Sequence, residues 1–336
     1  MPNYVLATFN KTGPAPRVAH TTVPGYAYLT INDLTAEGNV DFVAVASKYG
    51  LGNPDASFRL CGYDKNGDPS PDSFPWQETN FSSGDPKITS NLVKAVGQRL
   101  DSYTIQALRN KVLPVQNNVV ENAVQGMLAR DGRFILGSRA GGANASDQGG
   151  TLQPIPGGGV RWKDSYHSDP LTDAFVAEAY EEAGATRMTG IRLYGIFNQV
   201  TQHINRQSLF IGEPEQSIDD LIGKIESGIT FYQQQLAKGK SKRESRLALR
   251  ESCHPMDVWE NTRVWSFPYN VDTFLQLLSD GHWINPQGGK MKLIGSLPAD
   301  LYIAGVVEGG PDFKKEADKL SFAQKEIIDK TRPKRH

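Results

Sequence analysis

Three glutamates near the middle of the chain have the type and spacing of a metal site. Glu178, Glu181 and Glu182 stand at positions i, i+3 and i+4, so they share one face of a helix. Carboxylates packed this closely repel one another unless a cation lies between them. Oxygen ligands suit Mg²⁺, with Mn²⁺ as the alternative, and Mg²⁺ commonly binds through a few carboxylates and substrate phosphates. Glu178 and Glu182, one turn apart, are therefore the predicted metal ligands, against the alternative of a solvated acidic face.

The residues around these glutamates predict the helix that carries them. Asp169 can cap its N-terminus, Pro170 fits the first helical position, and Gly184 can take the left-handed conformation that ends a helix. A Gly-rich turn at residues 156–159 precedes it and can bring backbone groups close to the same site. The predicted apolar stripe that anchors the helix consists of Phe175, Val176, Ala179 and Ala183.

Residues 158–185 resemble the box of the Nudix hydrolase family. That box has a Gly, five residues, a Glu, seven residues and then Arg-Glu-apolar-x-Glu-Glu-x-Gly-apolar, and residues 177–185 read AEAYEEAGA. Three departures separate the two patterns: Asp169 replaces the Glu, Ala177 replaces the Arg, and ten residues instead of five precede Asp169. The family's Arg orients a box carboxylate, and Arg161 and Arg187 are the candidates to replace it here, between which spacing does not decide.

The segment before the box has the order of elements that the resemblance implies. Residues 119–129 are apolar and partly alternating, Asp131-Gly132 signals a tight turn, and residues 134–139 return as a second strand. The resemblance implies an α+β fold, the Nudix α/β/α sandwich with a mixed sheet, and we expect a small α+β domain in front of it. The predicted divisions are 1–112, a Nudix domain at 113–300 with an insertion at about 214–256, and a C-terminal helix and basic tail at 301–336.

The resemblance also implies the roles of the site residues. Glu181 and the backbone carbonyl of Gly158 would complete the metal shell, and Glu181 or Glu260 would deprotonate the attacking water. Glu260 stands just ahead of a predicted strand, where the family often has its base, and Asp257 and Glu251 are the alternates. Substrate phosphates would meet the backbone at Gly157 and Gly158, and Arg139 could steady one of them, although a plain surface Arg is equally compatible with the sequence.

Segments outside the box give coarser predictions. Residues 4–7, 27–31 and 42–46 read as strands, and residues 88–108 as one or two helices. Trp76 and Phe81 are interpreted as core residues rather than base-stacking ones, and His203 as an ordinary polar residue rather than a base. Ser217 predicts a helix start, and residues 238–243 form a basic run that is either a solvated loop or a contact for an anionic substrate. Residues 312–330 read as a docking helix.

Composition limits the partners. A net charge of −1 over 336 residues provides no global basic field, so bulk affinity for RNA or a membrane is not indicated. Two distant cysteines suit a reducing compartment, and no basic region followed by an apolar run opens the chain, so we expect a cytoplasmic protein. The expected substrate is a nucleotide-type small molecule, with a capped RNA as the alternative. A homodimer is compatible with the sequence.

Two functions of different class follow. The favoured one is a metal-dependent hydrolase that cleaves the pyrophosphate bond of a nucleoside diphosphate linked to a sugar, nucleotide or RNA. The alternative is a nucleotide-binding module of the same fold without catalysis. The three box glutamates favour the enzyme, whereas Ala177 and the lengthened loop favour the binding module.

Overall fold

The computed structural model describes residues 3–12, 15–22, 79–83, 87–88, 92–101, 120–140, 150–161, 166–200, 204–293 and 295–329. The strands are β1 (Asn3–Thr8), β2 (Arg17–Thr22), β3 (Thr79–Ser83), β4 (Lys87–Ile88), β5 (Leu92–Asp101), β6 (Val120–Arg130), β7 (Arg133–Arg139), β8 (Leu152–Pro154), β9 (Gly157–Gly159), β10 (Met188–Val200), β11 (Ile204–Pro214), β12 (Asn261–Pro268), β13 (His282–Ile284), β14 (Lys290–Lys292) and β15 (Ile327–Asp329). The helices are α1 (Pro170–Ala183), α2 (Ile218–Ala237), α3 (Lys242–Arg250), α4 (Val271–Asp280), α5 (Leu297–Ala317) and α6 (Ser321–Glu326), with a 3₁₀ turn at Val258–Glu260.

One mixed sheet dominates the described part of the chain. Its main path runs β15-β1-β10-β11-β6-β3-β5-β2, and β7 leaves β6 to pair with β8 and β12. The pairs β1–β15, β6–β11 and β2–β5 are parallel, and the other described pairs are antiparallel. β13 and β14 form a separate small hairpin. The predicted mixed α+β class is therefore confirmed, whereas the sandwich of the named family stays a prediction.

Apolar side chains alternate between the two faces of this sheet, as strand geometry requires. On β11, Phe210 packs into one core with α1 and α2, whereas Leu209 and Ile211 pack into a second core with α4 and α5. Phe175 of α1 stacks on Phe210 with ring centroids 5.3 Å apart. Helices thus cover both faces, and the α1 face carries the three glutamates.

Local chemistry explains why the segments around the glutamates fold as predicted. Asp131 and Gly132 both have positive φ, 51° and 68°, which is the geometry of the tight turn that joins β6 to β7. Asp169 accepts hydrogen bonds from the backbone N–H groups of Leu171 and Thr172 and caps α1. Gly184 ends the helix with φ 67°. The predicted hairpin and helix are confirmed.

Three predictions about secondary structure or packing are wrong. Residues 92–101 form strand β5 rather than a helix, because β2, β3 and β4 supply its backbone hydrogen bonds; residues 102–108 lie outside the described residues. The helix expected over 312–330 ends at Ala317, α6 follows it, and Ile327–Asp329 pairs with β1 as a parallel strand, for which the β-branched pair Ile327-Ile328 is suited. Val176 is 40% exposed and does not anchor α1, since its neighbours Phe175 and Ala179 already fill the core.

The domain division stays a prediction, although the structure shows how its segments connect. β1 hydrogen-bonds to β10, and β3 to β6, so strands from residues 1–112 continue the sheet of the following segment. Within the predicted insertion, α2 places Ile218, Leu221 and Ile225 in the same core as α1. The predicted strands at 27–31 and 42–46, and Trp76, lie outside the described residues. No helix in the described ranges is long and apolar enough to cross a membrane.

Candidate active site

The three glutamates lie together on the buried side of α1. Relative exposure is 8% for Glu178, 9% for Glu181 and 3% for Glu182, which is unusual for carboxylates without structural need. The Gly-rich strand β9 lies beside them, held by antiparallel pairing with β6, in which Val124 is opposite Gly158. The helix therefore presents its acidic face to a strand of bare backbone instead of to solvent.

Strand β9 contacts two of the carboxylates, and at Gly158 the approach leaves no room for a Cβ beside the present position of Glu178. The backbone N–H of Gly157 donates a 3.1 Å hydrogen bond to Glu182 Oε2. A Cβ built on Gly158 would lie 2.2 Å from Glu178 Oε1, far inside van der Waals contact. The Gly-rich turn thus brings the backbone of Gly157 and Gly158 close to the carboxylates, as the sequence predicts.

Arg161 forms the ion pair that the sequence could not assign. Its two terminal nitrogens donate to the two oxygens of Glu181, at 2.9 Å and 2.8 Å, in the bidentate geometry typical of strong pairs. Arg187, the other candidate, is 78% exposed and lies 3.9 Å from Glu215 instead. Glu181 is therefore held by a cation from the lengthened loop before the helix, while Ala177 provides none.

Ala177 borders an open cleft instead of filling it. The cleft has only about 20 Å³ of free interior, room for about one water molecule, and α1 forms one wall. Its lining comprises Gly159, Arg161, Tyr166, Pro170, Asp173, Ala174, Ala177 and Glu178. The cleft therefore admits a water-sized group beside Ala177 and Glu178.

Glu260 approaches the same acids from the turn that precedes β12. It ends the 3₁₀ turn before β12, its side chain is 27% exposed, and Arg139 Nη2 lies 3.8 Å from its Oε2. Arg139 also donates a 2.8 Å hydrogen bond to Gln153 Oε1, which fixes its direction. The structure thus brings Arg139 to Glu260, whereas the alternate Glu251 is exposed at the end of α3.

Asp257 lies closer to the glutamate helix than its place in the sequence suggests. Its backbone N–H donates to the carbonyl of Glu181 at 2.9 Å, and its side chain accepts a 3.1 Å hydrogen bond from Trp259 Nε1. Together with Glu260 it adds two carboxylates to the three on α1. Such a group of mutually close acids is difficult to ionise fully without added positive charge.

Burial and crowding raise the proton affinity of these acids. Burial is the main cause that raises the pKa of Glu178 to about 8; Glu181, Asp257 and Glu260 add to it, and Arg161 opposes it. Burial also raises the pKa of Glu182 well above its usual range, with Glu260 and Glu178 contributing and the Gly157 N–H opposing. The pKa values of Asp257 and Glu260 are raised as well, chiefly by burial.

The donor set fits a divalent cation in part. Glu178 and Glu182 are buried, have no ion-pair partner among the described residues, and face a glycine backbone that a Cβ would block. Against this, no group of three or more His, Cys, Asp or Glu side chains in the described ranges already has the geometry of a metal centre. Glu181 is engaged by Arg161. Metal binding therefore remains a proposal in which Glu178 and Glu182 are the free carboxylates.

Two residues near the site were not predicted from sequence. Gln153, which is buried, connects Arg139 to Asn261 through its amide. Arg246 of α3 lies over the ring of Trp259, 3.4 Å from the ring centroid. Arg246 could have been singled out from the sequence, because Lys242, Arg246 and Arg250 recur at i, i+4 and i+8. His203 lies outside the described residues.

Comparison with known proteins gives little further information. No protein-family model matches the chain, and no curated protein sequence matches it. Among solved structures it is similar to a mutant of the pyrophosphohydrolase BsRppH of Bacillus subtilis, at 13% identity and a TM-score of 0.29, covering 59% of this chain and 84% of that one. For the E. coli ORF135 protein the identity is 19% and the TM-score 0.19, over 29% of this chain and 61% of that one. At these TM-scores the similarities support no functional assignment, so a function has to be argued from the residues of this chain.

Proposed function

We propose that this chain hydrolyses the pyrophosphate bond of a nucleoside diphosphate linked to another group, with Mg²⁺ or Mn²⁺ as cofactor. One observation carries the proposal. Glu178 and Glu182 are buried one turn apart, lack an ion-pair partner among the described residues, and abut the backbone of Gly157 and Gly158. A buried pair of acids with raised pKa values is costly to keep, and perturbed carboxylates in such positions are candidates for functional groups.

The residues that would hold the cation are Glu178, Glu182 and the backbone carbonyl of Gly158, with Glu181 completing the set as the resemblance implies. When bound, the cation would offset the negative charge that develops on the phosphate oxygens. Arg161 holds the Glu181 carboxylate through two hydrogen bonds and so limits its rotation. This arrangement supports a role for Arg161 as the orienting cation in place of Ala177.

Glu260 is the better of the two proposed bases. Both oxygens of Glu181 already accept hydrogen bonds from Arg161, so neither is free to accept one from an attacking water in this geometry. Glu260 has only the longer contact to Arg139 and is partly open to solvent. Because burial raises its pKa, it can accept a proton from water more readily than an ordinary glutamate near neutral pH. Arg139 would then be placed to meet a substrate phosphate beside it.

A binding module without catalysis is the second candidate, and two observations favour it. Ala177 contributes no cation, and no described group of acids already has the geometry of a metal centre. In that case Arg139 would still be placed to meet a nucleotide phosphate. Both candidates use the same residues and differ in whether a metal binds and a bond breaks.

Product release from a substrate panel separates them. The panel contains ADP-ribose, UDP-glucose, NADH, a dinucleoside polyphosphate and capped RNA, each with Mg²⁺ or Mn²⁺ and each with EDTA. Glu182→Gln is the test variant, and Glu226→Gln on the exposed face of α2 is the matched control. Metal-dependent cleavage that persists in the control and disappears in Glu182→Gln supports the hydrolase. If nothing is cleaved and a nucleotide still raises the melting temperature, the binding module is supported instead.

A further inference from the structure

Polar side chains from three strands lie on the face of the sheet that packs against α5. Gln207 precedes Leu209 by two positions on β11, and Gln125 lies opposite Leu209 on β6. Both amides therefore share the face on which Leu209 packs into the core of α4 and α5. Asn3 precedes Val5 by two positions on β1 and lies on this face for the same reason. The three amides thus belong to the side of the sheet opposite α1.

The start of α5 brings two of these amides and a carboxylate together. Asn3 Nδ2 donates a 2.5 Å hydrogen bond to the carbonyl of Gly295. Gln125 Nε2 donates a 2.8 Å hydrogen bond to Ser296 Oγ. Because Gly295 and Ser296 are consecutive residues, the amides of β1 and β6 meet at one place. Asp300 follows Ser296 by one helical turn, and side chains with this spacing lie about 5–6 Å apart on the same side of a helix.

The side-chain atoms left without a partner at this place are all hydrogen-bond acceptors. Asn205 precedes Gln207 by two positions and shares its face. The buried oxygens that lack a donor are Asn3 Oδ1, Gln125 Oε1, Asn205 Oδ1, Gln207 Oε1, Asp300 Oδ1 and Asp300 Oδ2. Asn3 and Asp300 are fully buried, and Gln207 is 4% exposed. Burial raises the pKa of Asp300, and no described cation opposes it. Buried oxygens in this state are costly unless a donor or a cation meets them.

A proton on Asp300 does not satisfy this group of oxygens. A protonated carboxyl donates one hydrogen bond, so the remaining amide oxygens would still lack a donor. The positive end of α5 favours the ionised carboxylate, but no N–H group of the helix donates to its oxygens. A single cation, in contrast, is coordinated by several oxygens at once, and the negative charge of Asp300 offsets part of its own charge.

We propose that these amide oxygens and the Asp300 carboxylate bind a Ca²⁺ ion beneath the N-terminus of α5. Ca²⁺ takes about six to eight oxygen ligands, including carboxylates and the carbonyl groups of Asn and Gln. Mg²⁺ fits less well, because it demands octahedral geometry and usually keeps several of its waters. The site does not depend on the proposed hydrolysis, since Glu178 faces Gly158 and Val124 on the other side of the sheet. The ion would join β1, β6 and β11 to the start of α5.

The dependence of the melting temperature on Ca²⁺ tests the site. The full chain is stripped with EDTA and measured in EDTA, in millimolar Ca²⁺, and in K⁺ without a divalent ion. Ca²⁺ should raise the melting temperature of the unmodified chain by roughly 2 °C or more. Asp300→Asn removes the carboxylate of the site and should abolish this rise. Gln207→Leu replaces one amide oxygen with an apolar side chain and should weaken Ca²⁺ binding by roughly tenfold in a calorimetric titration.

Two control variants separate this site from the glutamates of α1. Asp312→Asn changes an exposed acid on the same helix, and Glu182→Gln changes the other face of the sheet, so both should keep the Ca²⁺ effect. If Asp300→Asn does not fold, Gln207→Leu decides the outcome through the titration.

Three results would overturn the site. The first is a melting temperature of the unmodified chain that Ca²⁺ does not change, which would assign the oxygens to buried water. The second is an effect of Ca²⁺ that Glu182→Gln removes and Asp300→Asn keeps, which would place the ion at α1. The third is a rise with K⁺ that Ca²⁺ does not enlarge. Ca²⁺ binding that depends on Asp300 in a chain that cleaves nothing would leave this site standing and reject the hydrolase.

Discussion

Replacement of Arg161 by alanine tests whether the lengthened loop substitutes for the box arginine. The change removes two hydrogen bonds, of 2.9 Å and 2.8 Å, from a Glu181 side chain that is 12% exposed. The carboxylate would remain among Glu178 and Glu182 without its cation. We expect lower stability, and lower activity toward whichever substrate the panel identifies.

The magnitude follows from the geometry of the pair. Hydrogen bonds between charged groups contribute about 1.5–3 kcal/mol each when well shielded. Arg161 is 33% exposed, so solvent screening reduces this contribution, and about 1–3 kcal/mol of the free energy of unfolding is a reasonable total. For a chain of 336 residues the melting temperature should fall by roughly 1–4 °C.

A second substitution in the same background makes the assay specific. Position 177 precedes Glu181 by one helical turn and lines the same cleft as Arg161, so an arginine there can reach Glu181. Arg161→Ala combined with Ala177→Arg should therefore recover at least half of the lost melting temperature and activity. Arg187→Ala, which breaks only an exposed 3.9 Å contact, should change the free energy of unfolding by less than about 0.5 kcal/mol.

Scanning fluorimetry gives the melting temperatures, and the substrate panel gives the rates. The reasoning fails if Arg161→Ala melts and turns over like the unmodified chain. It also fails if Ala177→Arg restores neither quantity while the double variant remains folded by circular dichroism. Recovery of stability without activity would show that Arg161 holds Glu181 for folding alone.

Three further predictions concern the buried acids and the glycine strand. Gly158→Ala should reduce activity at least about a hundredfold, since its Cβ would lie 2.2 Å from Glu178 Oε1. Gly223→Ala, which has open space around it, should leave the free energy of unfolding unchanged or raise it by up to about 1 kcal/mol. Steady-state rates measure the first effect, and urea unfolding measures the second. In EDTA, the melting temperature should fall as pH rises from about 5 to 8, because the folded pKa of Glu178, about 8, lies above its unfolded value near 4.5. Glu178→Gln should make the melting temperature depend less on pH. A melting temperature that does not change with pH in the unmodified chain would contradict the prediction. Asp300 is fully buried, both of its carboxylate oxygens lack a hydrogen-bond partner, and burial raises its pKa well above 3.8, so stability is lost as pH rises. The Asp300→Asn variant should therefore melt in EDTA at a higher temperature than the unmodified chain at pH 7.5 and at the same temperature near pH 4. A lower melting temperature of the variant at pH 7.5 would show that the ionised carboxylate has a partner.

Sequence reasoning succeeded where local chemistry decides structure. Asp169 and Gly184 bound α1 because a cap and a left-handed glycine act within a few residues. Asp131-Gly132 fixed the hairpin for the same reason. The spacing of Glu178, Glu181 and Glu182 likewise placed them on one face.

The sequence was less informative where partners come from distant segments. Residues 92–101 lack a strong strand pattern, and the neighbouring strands determine their conformation. Arg161 and Arg187 were equivalent by spacing, and only the path of the loop and of β10 separates them. The spacing within α3 marks Arg246 as one of a row of cations, but it could not reveal that Trp259, in the turn before β12, is its partner. Metal binding and the substrate stay predictions for the same reason.

The pairing of β15 with β1 bears on how the protein is made. Asn3 lies opposite Ile327, so two strands separated by almost the whole chain share one edge of the sheet. During synthesis β1 emerges long before β15, because all the residues between them must be translated first. Contacts of such long sequence separation form late and slowly. This edge of β1 would therefore stay open to other chains until β15 arrives, which makes it the segment where a chaperone would be most useful.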